Sequence, residues 1–212
     1  MKVLFFSDAH GSEPALKLAS RILDEFDVVI VGGDLTGPGS PDYPSRLLKS
    51  ISRGGRSAYY VPGNADSLSM ALPEGVTQLH GSKSQLGRYI IGGIGGSNIT
   101  PFKTAFEIPD PVADTILTEL GPVDILISHC PPKGCKCDKT GSGHIGSVPV
   151  RSYVDAHHPA LVLSGHVHES HAVDNLSGTS VVNPGPLRDG RYAVISLNGI
   201  ISVELKAETL KG

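Results

Sequence analysis

The sequence predicts an α/β domain built in layers, and two observations carry this prediction. Up to residue 168, short apolar runs rich in β-branched or aromatic residues alternate with amphipathic helical patterns. After residue 168, three strand patterns follow one another with no helical pattern between them. Alternating strands and helices indicate parallel pairing, whereas consecutive strands indicate a mixed or antiparallel sheet. We therefore expect a second sheet packed on the first, rather than an open Rossmann sheet.

Six apolar runs in the first part predict strands that are buried on both faces. Each run is short and ends in turn residues, which is typical of strands in a sheet covered on both sides. The runs lie at residues 3–6, 28–31, 58–61, 90–91, 125–127 and 161–163.

Three helices are predicted between these strands. Ser12 is suited to cap a helix that opens at Glu13 and carries an apolar stripe as far as Phe26. An Asp-Pro pair opens a second helix, over residues 110–121, which ends at a Gly-Pro pair. A third helix is expected over about residues 149–157.

The last part of the chain predicts three strands, at residues 180–185, 192–196 and 200–204. Asn198 and Gly199 separate the last two, and this dipeptide is a strong signal for a tight hairpin. These are the strands that we expect to form the second sheet.

Length and composition narrow the class of protein. A chain of 212 residues is long enough for one core, and no low-complexity linker divides it, so a single domain over residues 1–212 is expected. The net charge of −3, with no basic block, argues against a strong nucleic-acid footprint. No apolar stretch has the length of a membrane span, and no signal-peptide pattern precedes the first strand. A monomer and a homodimer both stay open.

Three cysteines, Cys130, Cys135 and Cys137, lie close together in the sequence. An odd number of cysteines without a signal peptide favours the reducing cytoplasm, and we interpret them as free thiols. The alternative is a redox site or an additional metal site, in which His144 supplies a fourth ligand.

Side chains of the metal-binding type follow the predicted strands at five places. Carboxylate, imidazole and amide oxygen donors suit Mn²⁺, Fe²⁺, Co²⁺ or Zn²⁺. The set is too large for one ion but suits two ions about 3.5–4 Å apart that share a bridging carboxylate. Each residue alone is also compatible with a turn residue or a buried histidine. The candidates are Asp8, His10, Asp34, Asn64, His129, His166 and His168.

These residues resemble the motifs of the calcineurin-like metallophosphoesterase superfamily. The matching motifs are Asp8-x-His10, Gly33-Asp34, Gly63-Asn64-x-Asp66, His129 and Gly165-His166-x-His168, in the family's order. The resemblance implies a four-layer αββα sandwich, in which two mixed β-sheets are flanked by helices. It also implies that one ion is held by Asp8, His10, Asp34 and His168. The other ion is then held by Asp34, Asn64, His129 and His166, with Asp34 bridging.

Further motifs resemble a narrower group of small single-domain phosphoesterases and phosphodiesterases. They are Ser-His-Cys-Pro-Pro-x-Gly at 128–134, Gly-His-x-Gly-Ser at 143–147 and Gly-His-Val-His-Glu-Ser at 165–170. Ser97 and Asn98, in a glycine-rich stretch, are expected to line the substrate pocket, with an ordinary turn as an equal alternative.

One position departs from the family pattern. Many members follow the ligand asparagine with a histidine that protonates the leaving group or steadies the phosphate, whereas this chain has Ala65. Small members that lack this histidine nonetheless act as phosphodiesterases. His144 is our candidate substitute, and an exposed loop histidine is the equal alternative. Arg188 is interpreted either as a phosphate-binding residue or as a surface residue in a salt bridge.

The sequence thus predicts a cytoplasmic, metal-dependent hydrolase that cleaves phosphodiester bonds by attack of a hydroxide bound at a dinuclear metal centre. Asp34 is expected to hold the hydroxide, while Asn64 and His144 contact the phosphate oxygens. The expected cofactors are two divalent ions, Mn²⁺ first, with Fe, Zn, Co or Ni as options. The expected partner is a small phosphodiester or phosphomonoester substrate. Two alternatives stay open: a phosphomonoesterase or protein phosphatase on the same site, and a protein-interaction scaffold that uses the metal pocket for docking.

Overall fold

The computed structural model describes residues 1–210, and its main body consists of two six-stranded sheets. In spatial order, the first sheet contains β14 (Ile200–Ala207), β13 (Arg191–Asn198), β1 (Lys2–Phe6), β2 (Val28–Val31), β3 (Ser57–Tyr60) and β4 (Val76–Gln78). The second contains β11 (Ala172–Leu176), β12 (Thr179–Asn183), β10 (Leu161–Leu163), β7 (Ile125–Ser128), β6 (Tyr89–Ile94) and β5 (Ser82–Leu86). A separate two-stranded hairpin contains β8 (Lys139–Thr140) and β9 (Gly143–His144).

Both sheets have a parallel centre and antiparallel additions, so both are mixed. Strands β1 to β4 pair in parallel, and β13 and β14 are added antiparallel beyond β1. In the second sheet, β12, β10, β7 and β6 pair in parallel, while β11 and β5 are antiparallel edge strands. The predicted α/β class with two mixed sheets is confirmed.

Four helices cover the outer faces of the sheets and give the molecule four layers. They are α1 (Glu13–Ile22), α2 (Tyr43–Ile51), α3 (Asp110–Leu120) and α4 (Val148–His157). The first two pack on one face of the first sheet, in a cluster that includes Leu4 and Tyr60. The last two pack on the second sheet, in a cluster around Leu126 and Val162. A third cluster, around Phe5 and Ile127, fills the space between the sheets. The αββα order of layers therefore matches the sandwich implied by the family resemblance.

The three predicted helices are all present, with small differences at their ends. Helix α1 begins after Ser12, whose side chain accepts a hydrogen bond from the Ala15 backbone at 3.3 Å. It ends at Ile22 rather than at Phe26, because a 3-10 turn over Leu23–Glu25 takes over. Phe26 is nonetheless buried, since the turn still points it into the core.

The prediction that the strands after residue 168 form a second sheet of their own is wrong. Strands β11 and β12 extend the second sheet, whereas β13 and β14 continue the first. Strand β13 pairs with the edge of β1, with Val3 opposite Ile195, and so protects an apolar edge that is otherwise open. An apolar strand pattern predicts burial but does not specify which edge the strand joins. The hairpin at Asn198 and Gly199 is confirmed.

Helix α2 and several short strands have no counterpart in the sequence prediction. Helix α2 buries Tyr43, Leu47 and Ile51 at four-residue spacing, so a helical signal was present. The edge strands β4, β5 and β11 are partly exposed and contain polar residues that interrupt the apolar runs used to find strands.

The predicted domain bounds, 1–212, include two residues outside the described range, and the single-domain organisation stays a prediction. In residues 1–210, no helix combines the length and the apolar character needed to cross a membrane.

Candidate metal centre

All seven candidate ligands lie in loops at the carboxyl ends of strands. In α/β sheets this is the edge where ligands generally bind. Backbone hydrogen bonds join the loops: Asp8 N–H donates to Gly33 O at 2.9 Å, and His10 N–H to Asp34 O at 3.0 Å. The two sheets are joined in the same way, since Gly96 N–H, after β6, donates to Pro62 O, after β3, at 2.8 Å. The loops follow β1 (Asp8, His10), β2 (Asp34), β3 (Asn64), β7 (His129) and β10 (His166, His168).

Four of the side chains form a first cluster. The ligand atoms of Asp8, His10, Asp34 and His168 all lie within 4.8 Å of one another. His168 Nε2 is 3.1 Å from Asp8 Oδ1 and 3.1 Å from His10 Nε2. Two carboxylates and two imidazoles that face one another at these distances are a donor set suited to a divalent transition metal.

The remaining candidates form a second cluster that shares Asp34 with the first. His129 Nε2 lies 3.0 Å from Asn64 Oδ1 and 3.6 Å from Asp34 Oδ2. The same Oδ2 atom is 3.7 Å from His10 Nε2 in the first cluster. The ring of His166 lies with its centroid 5.1 Å from that of His129. One carboxylate oxygen therefore stands between two groups of nitrogen and oxygen donors.

The electrostatics of the clusters depend on two buried carboxylates. Asp8 and Asp34 are only 1% and 3% exposed. Burial by itself raises the pKa of Asp8, but a hydrogen bond to His168 and the charge of His129 lower it below its usual value. Burial likewise opposes ionisation of Asp34, and the charge of His129 outweighs it and lowers the pKa. Both groups are therefore anionic at neutral pH.

The histidines respond to these charges in opposite ways. Burial disfavours the charged ring of His129, but Asp34 and Asp8 together raise its pKa to about 9. Burial and the charge of His129 lower the pKa of His166 to about 4. Burial also lowers the pKa of His10. In this arrangement one imidazolium partly neutralises two carboxylates, a position that a divalent cation fits well.

The backbone is strained where it presents the candidate ligands. Asp8, His10, Asp34 and His166 all have positive φ, between 46° and 66°. This left-handed region is uncommon for residues with a Cβ atom and costs of order 1 kcal/mol or more each. Such strain persists only when the surrounding structure enforces it, and it is concentrated at functional sites.

Glycines allow the loops to approach one another. A Cβ atom on Gly165 would collide with the Asp8 carboxylate and the Ser7 hydroxyl. A Cβ atom on Gly33 would collide with the Gly63 backbone and crowd the His129 ring. These glycines belong to the motifs noted in the sequence, and close packing is the physical reason for them.

Groups behind the ligands fix their orientation. His129 Nδ1 donates to Gly32 O at 2.6 Å, which turns Nε2 toward Asn64 and Asp34. The backbone N–H of Ala65 donates to Asp34 Oδ1 at 2.8 Å. Sequence patterns give no sign of either contact, because both involve backbone atoms of ordinary residues.

Asp66 acts as a buried link between two ligand loops. Its carboxylate accepts hydrogen bonds from the backbone of Leu35, Thr36 and Gly63, and from the hydroxyls of Thr36 and Tyr60. It caps no helix. Asp66 therefore supports the loops that carry Asp34 and Asn64.

His144, Ser97 and Asn98 lie outside these clusters. His144 is 43% exposed, and its Nδ1 donates to the buried carboxylate of Asp138 at 2.6 Å. In the described residues no hydrogen bond joins His144 to either cluster. Asn98 Oδ1 accepts from the thiol of Cys130 at 3.2 Å, so the Ser97–Asn98 segment packs beside the residue that follows His129.

All three cysteines are buried and unpaired, which confirms the free-thiol interpretation. The thiols of Cys135 and Cys137 donate to the carbonyls of Pro132 and Ala172. Within residues 1–210 they do not join His144 in a metal-type cluster.

Comparisons with known proteins agree with this geometry. The family model described as calcineurin-like phosphoesterase matches residues 1–170. An uncharacterized protein of Methanocaldococcus jannaschii is 30% identical over 202 residues, which cover 88% of each chain.

Three solved structures show the same fold at low sequence identity. TT1561 of Thermus thermophilus has a TM-score of 0.73 at 23% identity, covering 96% of this chain and 97% of that one. A dimetal phosphatase from Danio rerio has a TM-score of 0.68 at 12% identity, over 98% and 96%. A structure described as a novel archaeal phosphodiesterase has a TM-score of 0.58 at 12% identity, over 97% and 100%.

Proposed function

Because the chain belongs to the calcineurin-like phosphoesterase family, we propose that it hydrolyses small phosphodiesters at a centre that holds two divalent ions. The family makes it a hydrolase acting on phosphoester bonds, and the Asp–His cluster is of the kind that binds divalent metal. The single observation that carries the dinuclear proposal is the position of Asp34. Its Oδ2 atom faces His10 of one cluster at 3.7 Å and His129 of the other at 3.6 Å.

In this proposal each cluster holds one ion. The first ion is held by Asp8, His10, Asp34 and His168, and the second by Asp34, Asn64, His129 and His166. Bound ions would supply an activated water molecule and neutralise the charge that develops on the phosphate. Mixed oxygen and nitrogen donors make Mn²⁺ our first choice, with Fe, Zn, Co and Ni as alternatives. The free, buried thiols favour a reducing compartment, and we propose the cytoplasm.

The protein's own residues orient the reactants. Asp34 is fixed from behind by Ala65 N–H, so its other oxygen keeps its place between the two clusters. Asn64 points its oxygen toward His129 Nε2, which leaves its amide NH₂ as a donor for a phosphate oxygen. Ser97 and Asn98 stay proposed as pocket residues, because they pack beside Cys130 next to His129.

His144 stays our proposed proton donor to the leaving group. The buried carboxylate of Asp138 accepts from Nδ1 and fixes the ring, which leaves Nε2 at the solvent-exposed side. A carboxylate behind one ring nitrogen is the usual way to orient a histidine for proton transfer. The proposal requires the hairpin of β8 and β9 to bring this ring to the substrate.

The preference for diesters rests on Ala65. A positioned general acid contributes about 10²–10⁴-fold, so its absence beside Asn64 penalises substrates with poor leaving groups. A phosphomonoesterase on the same site is the nearer alternative. A scaffold function is less well supported, because every donor side chain of both clusters is present and facing inward.

The test is to remove metal, restore Mn²⁺ and follow hydrolysis of bis-p-nitrophenyl phosphate beside p-nitrophenyl phosphate. We expect two metal equivalents per chain and faster turnover of the diester. Asp34→Asn should lose at least one equivalent and about 10³-fold or more in turnover, because it removes the shared charge. Asp155→Asn, an equivalent change at an exposed ion pair on α4, is the control. Full metal binding without turnover of either ester would favour the scaffold, and faster monoester turnover the phosphatase.

A further inference from the structure

Arg188 lies beside the first cluster and is held there by its backbone. It belongs to a 3-10 turn over Leu187–Asp189 that follows β12. The N–H of Leu187 donates to Ser7 O at 2.8 Å, and that of Arg188 to Asp8 O at 3.3 Å. The turn is therefore attached directly to the loop that carries Asp8 and His10, and the base of the Arg188 side chain has a fixed position.

The Arg188 guanidinium has no acidic partner among residues 1–210, so the predicted salt-bridge alternative finds no support. Its Nη2 atom instead lies 3.0 Å from Nδ1 of His168, and the contact is exposed to solvent. This guanidinium lies at the edge of the first cluster and pairs with no carboxylate among the described residues, so it is available for an anionic ligand. Its planar, forked donors suit the oxygens of a phosphate group.

The contact with His168 is incompatible with metal binding at the same ring. A guanidinium only donates hydrogen bonds, so Nδ1 accepts and the ring proton of neutral His168 resides on Nε2. Nε2 is the atom that faces Asp8 and His10, and it must be unprotonated to bind a metal. The proton then occupies Nδ1, which no longer accepts from Arg188. Metal loading therefore releases the guanidinium.

We propose that Arg188 is a substrate-binding residue, which contacts a phosphate oxygen of the substrate once metal loading has released it from His168. The inference rests on the proposed function, since it assumes a phosphoester bound over the first cluster. The contact adds charge-assisted hydrogen bonds to the bound phosphate, so its loss weakens binding more than it slows the chemical step.

The probe is inorganic phosphate, measured by calorimetry on the Mn²⁺-loaded full chain and as a competitive inhibitor of diester hydrolysis. For Arg188→Gln we expect phosphate affinity to fall about 10–100-fold, the range for hydrogen bonds to charged groups. The KM for bis-p-nitrophenyl phosphate should rise by a similar factor, with kcat within about threefold. Arg188→Lys should recover only part of the loss, because an ammonium lacks the fork.

The matched control is Arg191→Gln, which removes the same charge three residues along the chain. Arg191 lies in β13 against Gly185, and among residues 1–210 no hydrogen bond joins it to His168. We expect its phosphate affinity to stay within about twofold of the unaltered chain. Equal losses in the two variants would overturn the proposal in favour of a general effect of positive charge.

Metal affinity distinguishes a substrate contact from a structural one. If Arg188 merely positioned His168, Arg188→Gln would bind Mn²⁺ more weakly, whereas we expect affinity that is unchanged or higher. ¹⁵N spectra of the metal-free chain should show the His168 proton on Nε2, and Zn²⁺ should move it to Nδ1. If the Arg188→Gln enzyme is active and its phosphate affinity is unchanged, the inference is wrong and the proposed function still holds. If the unaltered chain binds phosphate through Arg188 but hydrolyses neither ester, only the proposed function is wrong.

Discussion

At the scale of single residues, the site is built from unfavourable local conformations. Four candidate ligands, Asp8, His10, Asp34 and His166, occupy the left-handed region that residues with a Cβ avoid. The buried carboxylates of Asp8 and Asp34 also repel each other, which adds an electrostatic cost to this backbone strain. The sequence marks these residues by type and spacing. Aspartate and histidine occur at positive φ more often than most residues with a Cβ, but residue type alone does not fix the φ value.

Backbone strain at His10 predicts an unusual order of stability among its variants. His10→Gly and His10→Ala both lose the imidazole, but only glycine adopts φ 46° without a steric penalty. We expect the glycine variant to be the more stable by about 1 kcal/mol, or roughly 2–4 °C in Tm. His168 does not have positive φ, so there we expect alanine to be the more stable of the two. Thermal unfolding of the four metal-free variants measures both differences, and the same order at both positions would contradict the strain.

The sequence does not reveal the contact between Arg188 and His168 either. The two residues are 20 positions apart and belong to different loops, and no spacing rule relates them. Arg188 stood out in the sequence only as a cation after Asn183-Pro184-Gly185. Its position at the cluster depends on the 3-10 turn and on the backbone bonds to Ser7 and Asp8, which are properties of the fold.

At the scale of secondary-structure elements, apolar runs predicted the central strands and turn chemistry predicted their loops. Strand β2, residues 3–6 of β1 and residues 125–127 of β7 are buried, and all of these residues are apolar. Edge strands such as β5 meet solvent, and their sequences are correspondingly unspecific. The division of the strands between two sheets was not predicted, because pairing depends on which edges are open when the chain folds.

Loop geometry predicts that Asp66 matters for metal binding although it faces neither cluster. Asp66→Asn replaces acceptors with an NH₂ group opposite donors from Thr36, Tyr60 and Gly63. We expect a loss of about 3 kcal/mol in stability, or roughly 6–12 °C in Tm. Metal affinity should fall about 10–100-fold, because the loops of Asp34 and Asn64 lose their common support.

Tyr60→Phe is the control for this prediction, because it disturbs the Asp66 carboxylate less than Asp66→Asn does. It removes one of the five hydrogen bonds to the Asp66 carboxylate and keeps the buried ring. We expect a loss of about 1 kcal/mol and little change in metal affinity. Differential scanning calorimetry and metal titration test both variants. Metal affinity that is unaffected in Asp66→Asn would show that Asp66 contributes only to stability.

At the scale of the whole molecule, the site joins the two sheets at one end of the sandwich. Ligands from β1, β2 and β3 of the first sheet meet ligands from β7 and β10 of the second. The bond from Gly96 N–H to Pro62 O, together with Asn64 and Asp34 opposite His129, closes the contact between the two sheets. Charge at this junction therefore affects the stability of the whole fold, and a bound cation affects it in turn.

This coupling predicts that stability depends on pH in the metal-free chain but not in the metal-loaded chain. In the metal-free chain, burial is outweighed by Asp34 and Asp8, and the pKa of His129 rises from 6.5 to about 9. A raised folded-state pKa stabilises the fold fully below pH 6.5, and this contribution is lost as pH rises toward 9. The pKa values of His10 and His166 are lowered, so protonation of these rings in the unfolded state opposes folding near pH 6.5, and this opposing contribution has largely disappeared by about pH 7.5. Among the cluster residues with a shifted pKa, His129 is the one that loses its folded-state proton in this window.

We expect the metal-free chain to lose roughly 1 kcal/mol, or about 2–4 °C in Tm, between pH 6.5 and 8.5, because the loss at His129 exceeds the gain at His10 and His166. The window stops there because unfolded cysteine thiols ionise at higher pH. Metal requires an unprotonated His129 Nε2, so the loaded chain has no such proton to lose and its Tm should stay level.

Because metal requires an unprotonated His129, Mn²⁺ affinity should also rise with pH by up to tenfold per unit. Calorimetry in buffers of different ionisation enthalpy should detect about one proton released at pH 7.5. Parallel pH slopes for the two forms, or no proton release, would show that His129 is not a ligand, because only its change of protonation separates the two curves.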